Sequence, residues 1–185
     1  MVNTMDFRTK SLLLETEHVG AQEFWPVALD IGYSSVKGFS PNMLCAFPSY
    51  AKNLGKNPTL YGEQDKDEIL YRDRETGEIW RVGRSAQKMV GDRDTSDSQM
   101  ELFGRDRYFS QMFKILIRTG LALCTVDNPS GAYNKKPILV QTGLPPAYLE
   151  EDRNDMVNAI AGRHRFAIKT GSQKHYVNLE LEVLA

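Results

Sequence analysis

A chain of 185 residues, 41% hydrophobic and 25% charged, has ordinary globular makeup and is long enough for one substantial domain or for part of a larger one. Its formal net charge of -1 gives no global attraction to DNA or to an anionic membrane surface. No run of about 18 apolar residues occurs, so no transmembrane helix is expected.

Residues 1–23 carry Asp6, Glu15 and Glu17 around the short apolar "SLLL". A signal peptide needs a longer apolar core and a small-residue cleavage site. The segment reads as a mobile leader, with Met1 and Met5 both open as start sites. The domain is expected over 24–185. From Phe24 to Ile31 the pattern is a strand, with Val27, Leu29 and Ile31 on one face and Ala28 and Asp30 on the other. Val36 to Phe39 and "NMLCAFPS" read as two further strands, giving an antiparallel meander.

Residues 49–67, rich in Gly, Asn, Lys and Pro, read as an exposed loop. "EILYRDRETGEIWRVG" reads as a hairpin turning at Thr76 and Gly77, and "GRSAQK" as a short helix. Residues from about 49 to 103 are expected to form a small insertion on the main sheet. Arginines are frequent from Arg72 to Arg107, but acids are interleaved, as on a solvated surface rather than a nucleic-acid patch.

"RDRYFSQMFKILIRTGLALCTV" is the strongest helix pattern, apolar over most of its circumference, with Asp106 as the expected N-cap. Ile138, Leu139 and Val140 run without alternation, as in a strand buried on both faces. The chain then leaves sharply through Gly143 and Pro145-Pro146. "LEEDRNDMVNAIAG" reads as a helix stopped at Gly162, with acids in its first turn. A long hairpin closes the chain, with Val177, Leu179, Leu181 and Val183 alternating. Cys45 and Cys124, far apart in sequence, read as buried free thiols of a reducing compartment. His18, His164 and His175 form no recognisable ligand set.

The stretch that carries chemistry is "ALDIGYSSVKGFS". A glycine-containing hairpin turn presents backbone N–H groups to an anion. Gly32 permits close approach, Ser34 and Ser35 offer hydroxyl donors, and Lys37 adds a point charge. Asp30 beside a phosphate needs a cation between them, which suggests Mg²⁺ held through water. A plain hydroxyl-rich hairpin fits the same residues. The turn is not a P-loop, because GxxxxGK[ST] is absent and a strand, not a helix, follows it.

The string "LDIGYSSVKGF" followed by "CAFPS" resembles the first phosphate motif of the actin-like ATPases, most closely the plasmid-segregation actins of the ParM/StbA type and related archaeal actin-like proteins. "IWRVGRSA", "GRDRYFSQMFKILIRTGLALC", "ILVQTGLPPAYLEEDRNDM" and "HRFAIKT…YVNLELEVLA" resemble later elements of that family in the same order. The resemblance covers about residues 25 to 185. It implies an α/β fold, a mixed sheet with flanking helices: the N-terminal half of an actin-like, ribonuclease H-like ATPase domain with a small α+β insertion.

Carried over by residue, Asp30 would hold the Mg²⁺ water shell. Gly32, Tyr33, Ser34 and Ser35 would form the phosphate loop, and Lys37 would contact the phosphates. Gln141, Thr142 and Gly143 would approach the γ-phosphate, with a plain strand end as the competing reading. The cofactors implied are ATP or GTP with Mg²⁺. The partners implied are further copies in a filament and a DNA-binding adaptor, without direct nucleic-acid or membrane contact, in the cytoplasm. The family's second phosphate loop, Asp-x-Gly-x-x-Thr, follows its closing hairpin and is not reached by Ala185. The 185 residues alone are therefore expected to bind ATP weakly or not at all. Two rivals stay open: a sugar kinase or chaperone of the Hsp70 type, and a stand-alone binding module using "YVNLELEV" as an edge strand.

Overall fold

The computed structural model describes residues 12–15, 24–41, 43–59, 66–89, 104–125, 137–171 and 175–185. Among these residues ten strands form one mixed sheet. They are β1 (Leu12–Glu15), β2 (Trp25–Ile31), β3 (Ser35–Ser40), β4 (Met43–Pro48), β5 (Ala51–Gly55), β6 (Ile69–Asp73), β7 (Ile79–Val82), β8 (Ile138–Gln141), β9 (Gly162–Thr170) and β10 (Val177–Leu184). Three helices accompany them: α1 (Arg84–Gln87), α2 (Gln111–Leu123) and α3 (Leu149–Ile160). The strand order is β1-β4-β3-β2-β8-β10-β9-β6-β7-β5.

The expected meander is present. β2 pairs antiparallel with β3, Asp30 opposite Lys37, and β3 pairs with β4. Parallel pairing of β8 with β2 and with β10 places β8 inside the sheet. The insertion does not stand apart: β6 pairs with β9 and extends the same sheet.

The alternation of β2 is borne out, since Trp25, Val27, Leu29 and Ile31 are buried and Ala28 and Asp30 are exposed. Those four side chains meet α2, where Met112, Phe113, Ile115, Leu116, Ile117 and Leu121 are buried together. Gly120 lets the helix sit close: a Cβ there would stand 2.7 Å from Leu29 Cδ1. Each large apolar side chain buried here contributes about 1.5–3 kcal/mol. The helix is buried on nearly all sides from Met112 to Leu123, with Lys114 at its least covered position. On its far side lies α3, which buries Met156 and Ile160.

Five expectations need correction. Residues 51–55, expected in a loop, form β5, because Ala51 is buried and the strand finds a partner in β7; a bulge lies between Asn53 and Gly55. Part of the leader expected to be mobile forms β1, which covers the free edge of β4. The cap of α2 is Ser110 rather than Asp106, since Ser110 Oγ accepts from Phe113 N at 3.1 Å. Arg105–Phe109 make a separate 3-10 turn before it. Leu139 is 41% exposed, so β8 is not buried on both faces. The face opposite α2 also carries the exposed Phe39 and Leu184. Finally, "YVNLELEV" is an edge over only part of its length: β10 lies between β9 and β8, where Val183 and Leu184 pair with Ile138 and Leu139, while Val177 to Glu182 pair with β9 alone. The expected leader residues outside 12–15, the end of the insertion after Met89, and the turn at Ser172 lie outside the described residues.

Candidate functional site

The parallel strands β2 and β8 run side by side, with Ala28 opposite Gln141. Ligands of open α/β sheets bind outside the carboxyl ends of parallel strands, where chains diverge. Here β2 continues past β8 to Asp30 and turns back, whereas β8 leaves through Thr142 and Gly143. The result is an open groove of about 450 Å³ with a largely apolar floor of Ala28, Leu29, Gly38, Phe39, Leu44, Cys45 and Ala46, and with Asp30, Lys37, Gln141, Thr142 and Gly143 as its polar end. Five of the nine residues singled out in the sequence thus share one groove, although Asp30 and Gln141 lie far apart along the chain.

The other four, Gly32, Tyr33, Ser34 and Ser35, form the hairpin at its rim. Gly32 N donates to Ser35 O at 3.0 Å, so the tip is the pair Tyr33-Ser34. A Cβ on Gly32 would come within 2.9 Å of the Ser35 carbonyl oxygen, a backbone atom that has no rotamer to change. Glycine is therefore required by the close approach. The Gly32 N–H is spent within the hairpin and does not face outward. Tyr33 and Ser34 are exposed, whereas Ser35 is buried.

Sequence reasoning missed Ser49. It is buried; its Oγ donates to Gly32 O at 2.6 Å, and its N–H donates to Ser34 O at 3.1 Å. One residue after β4 thus fastens both sides of the hairpin tip. The available signal was the serine that ends "CAFPS", set directly after Pro48.

Lys37 Nζ lies 3.3 Å from Asp30 Oδ2, and both side chains are 64% exposed. Such a pair is worth little and exchanges partners readily. Thr142 Oγ1 is buried without a hydrogen-bond partner among the described residues. A buried hydroxyl without a partner is costly. The donor set therefore fits a polyanion with a divalent cation: one carboxylate for metal-bound water, one ammonium, one amide and one unsatisfied hydroxyl.

Behind the sheet lies a second polar cluster. Arg118, 4% exposed, donates through its NH1 nitrogen to Tyr71 OH at 2.7 Å and to Asp73 Oδ2 at 3.4 Å. Arg118 Nε donates to His164 Nδ1 at 3.3 Å, while His164 Nε2 lies 2.8 Å from Ile160 O. An acceptor at Nδ1 puts the ring proton on Nε2, where it donates to that carbonyl. Burial, then the Arg118 charge, lowers the His164 pKa and keeps the ring neutral. Burial pushes Tyr71 up to about 12. Burial also raises Asp73, but the N–H groups of Thr76 and Glu75 and the Arg118 charge outweigh it and leave Asp73 below the ordinary carboxylate range. This cluster joins β6, α2 and β9 as structural support.

The two cysteines are buried and free, as expected, with their sulfurs 3.7 Å apart. Gly38 makes room for both, since a Cβ there would stand 2.6 Å and 2.7 Å from the two sulfurs. The shared hydrogen bond lowers Cys45 and raises Cys124, to which burial adds.

The model of the N-terminal domain of actin-like proteins matches residues 28–185. The chain belongs to this family. No curated protein matches it by sequence. Among solved structures, the apo psk41 ParM protein is similar with a TM-score of 0.62 at 17% identity, over 88% of this chain and 48% of its own. A 15-stranded ParM filament from Clostridium botulinum is similar at 0.57 and 23% identity, over 88% of this chain and 47% of that one. An archaeal actin homolog follows at 0.55 and 15% identity, over 86% and 43%. The chain thus spans about half the length of the solved structures it resembles. Among the described residues no helix is long and apolar enough to cross a membrane.

Proposed function

We propose that this chain is the N-terminal half of an actin-like protein that binds ATP, or GTP, with Mg²⁺, polymerises, and hydrolyses the nucleotide to turn its filaments over. The observation that carries this reading is the groove at the ends of β2 and β8, where Asp30, Lys37, Gln141, Thr142 and Gly143 converge beside the Tyr33-Ser34 tip. In this reading Lys37 leaves Asp30 and turns to the phosphates; the exposure of the pair makes that exchange inexpensive. Asp30 is then left to hold metal-bound water. Thr142 supplies its unsatisfied hydroxyl, and Gln141 orients the attacking water. Bound Mg²⁺ would neutralise phosphate charge as the terminal bond breaks. The family membership and the ParM filament among the similar structures support self-association. Cytoplasmic plasmid DNA movement through a DNA-binding adaptor completes the proposal, and the near-neutral charge of the chain fits an indirect attachment to DNA.

The test uses the full-length protein. With MgATP it is expected to pellet at high speed and release phosphate, and Asp30→Ala is expected to abolish turnover. Phosphoryl transfer to a sugar without a pellet would replace the filament reading by a kinase. Wild-type turnover in Asp30→Ala would remove the site assignment.

A further inference from the structure

The tip of the hairpin carries an aromatic residue where small polar residues would suffice. Tyr33 is 49% exposed, so core packing does not account for it. Its ring is nevertheless engaged. The guanidinium carbon of Arg107 lies 4.9 Å from the Tyr33 ring centroid. The same guanidinium lies 5.2 Å from the Tyr108 ring and 5.5 Å from the Phe113 ring. Arg107 is only 8% exposed, and among the described residues no ion pair to a carboxylate is formed by it. A desolvated guanidinium held by aromatic faces is a stronger anchor than an exposed one.

Two of those rings are firmly placed. Tyr108 and Phe113 meet edge to face at 5.3 Å, and Phe113 N is fixed by the Ser110 cap. Arg107 therefore takes its position from the start of α2 and passes it to Tyr33. Ser49 holds the hairpin from the β4 side, through Gly32 and Ser34. Arg107 holds the ring of the tip residue itself.

We propose that Arg107 is a positioning residue for the phosphate loop: by stacking on Tyr33 it preorganises the Tyr33-Ser34 tip for a nucleotide polyphosphate. The proposal rests on the nucleotide reading of the groove. A tip that is already ordered loses less entropy when it binds, and that saving appears as affinity. Arg107 touches no phosphate in this role; it acts through the tyrosine ring. Its contribution should thus be retained by any flat ring at 33 and lost with an aliphatic one.

The experiment measures MgATP affinity of the full-length protein by calorimetry for Arg107→Met, Tyr33→Leu, the double variant and Tyr33→Phe. Arg107→Met and Tyr33→Leu are each expected to weaken binding about three- to thirty-fold. The double variant should be no weaker than the weaker single, and Tyr33→Phe, which keeps the ring, should bind more tightly than Tyr33→Leu. Multiplying effects in the double variant, or wild-type affinity in Tyr33→Leu, would overturn the proposal. If Arg107→Met does not fold, wild-type affinity in Tyr33→Leu still overturns the proposal, because that side chain lies at an exposed tip. A second readout needs no nucleotide. With 3-fluorotyrosine incorporated, the Tyr33 fluorine resonance should shift in Arg107→Met while that of Tyr148 stays. An unmoved Tyr33 resonance refutes the stacking. If wild-type protein binds no MgATP, the groove reading fails, and the fluorine result separately shows whether Arg107 places the tip.

Discussion

Replacing Gly120 with alanine probes the contact on which the hairpin rests. The new Cβ would stand 2.7 Å from Leu29 Cδ1 and 3.3 Å from Val36 Cγ1. Carbon atoms rest at about 3.5–4.0 Å, so α2 must retreat or Leu29 must leave its rotamer. Leu29 is 2% exposed, and Val36, the other neighbour, is β-branched and stiff at χ1. Overpacking of this kind costs about 1–3 kcal/mol. Alanine returns about 1 kcal/mol of helix propensity. The two combine to an expected net loss of up to about 2 kcal/mol in urea unfolding at constant m-value. Leu29→Ala alone should cost about 2–5 kcal/mol through its cavity. In the double variant the new methyl group enters space that Leu29 vacated, so the combined cost should fall short of the sum by at least about 1 kcal/mol. Because Leu29 directly precedes Asp30, the same strain should reach the groove. A stabilisation of about 1 kcal/mol by Gly120→Ala, the bare propensity gain, would refute the close packing of helix on hairpin.

The remaining predictions concern the supports of the site. Arg118→Met should destabilise by about 3 kcal/mol or more in urea titration, because it strips the charge partner from Asp73 and a donor from both Tyr71 and His164; a loss below about 1 kcal/mol would contradict the account. The folded-state pKa of His164 is lowered, so the unfolded chain takes up its proton first as pH falls. Stability should therefore decline below about pH 6.5, toward the lower folded pKa. Unfolding midpoints from pH 7.5 to 5 should show that decline, and His164→Gln should flatten it. Ser49→Ala should cost about 1–3 kcal/mol by leaving the Gly32 carbonyl without its buried donor, and should weaken nucleotide binding at the same time; a change in neither would remove Ser49 from the loop's support.

What could be read from the sequence was what depends on local pattern. The β2 alternation, the β6–β7 hairpin and the apolar α2 all follow from spacing and turn chemistry, and the structure has them. The hairpin string "LDIGYSSVKGF" stands out because residue type and order there are unusual. Tertiary pairing was not. Lys52, Asn53 and Gly55 look like loop, yet β7 offers them an edge. Leu139 looked doubly buried because apolar runs do not say which face is covered. Asp106 is as good a cap as Ser110 by residue type, but it lies inside the 3-10 turn Arg105–Phe109, and the α-helix begins only after that turn. Ser49 and Arg107 left almost no trace in the sequence, since each acts across a long interval on residues of the hairpin. The Asp30–Lys37 pair follows from the β2–β3 register, which strand calling alone does not supply.

The most direct test of the account is calorimetry of nucleotide binding to the full-length protein with and without Mg²⁺, for wild type and Asp30→Ala. The account predicts binding that strengthens with Mg²⁺, and a loss of about tenfold or more in Asp30→Ala that removes the Mg²⁺ dependence. Binding of equal strength in both proteins, or none in the wild type, would contradict the assignment of the groove at the ends of β2 and β8 as a nucleotide phosphate site.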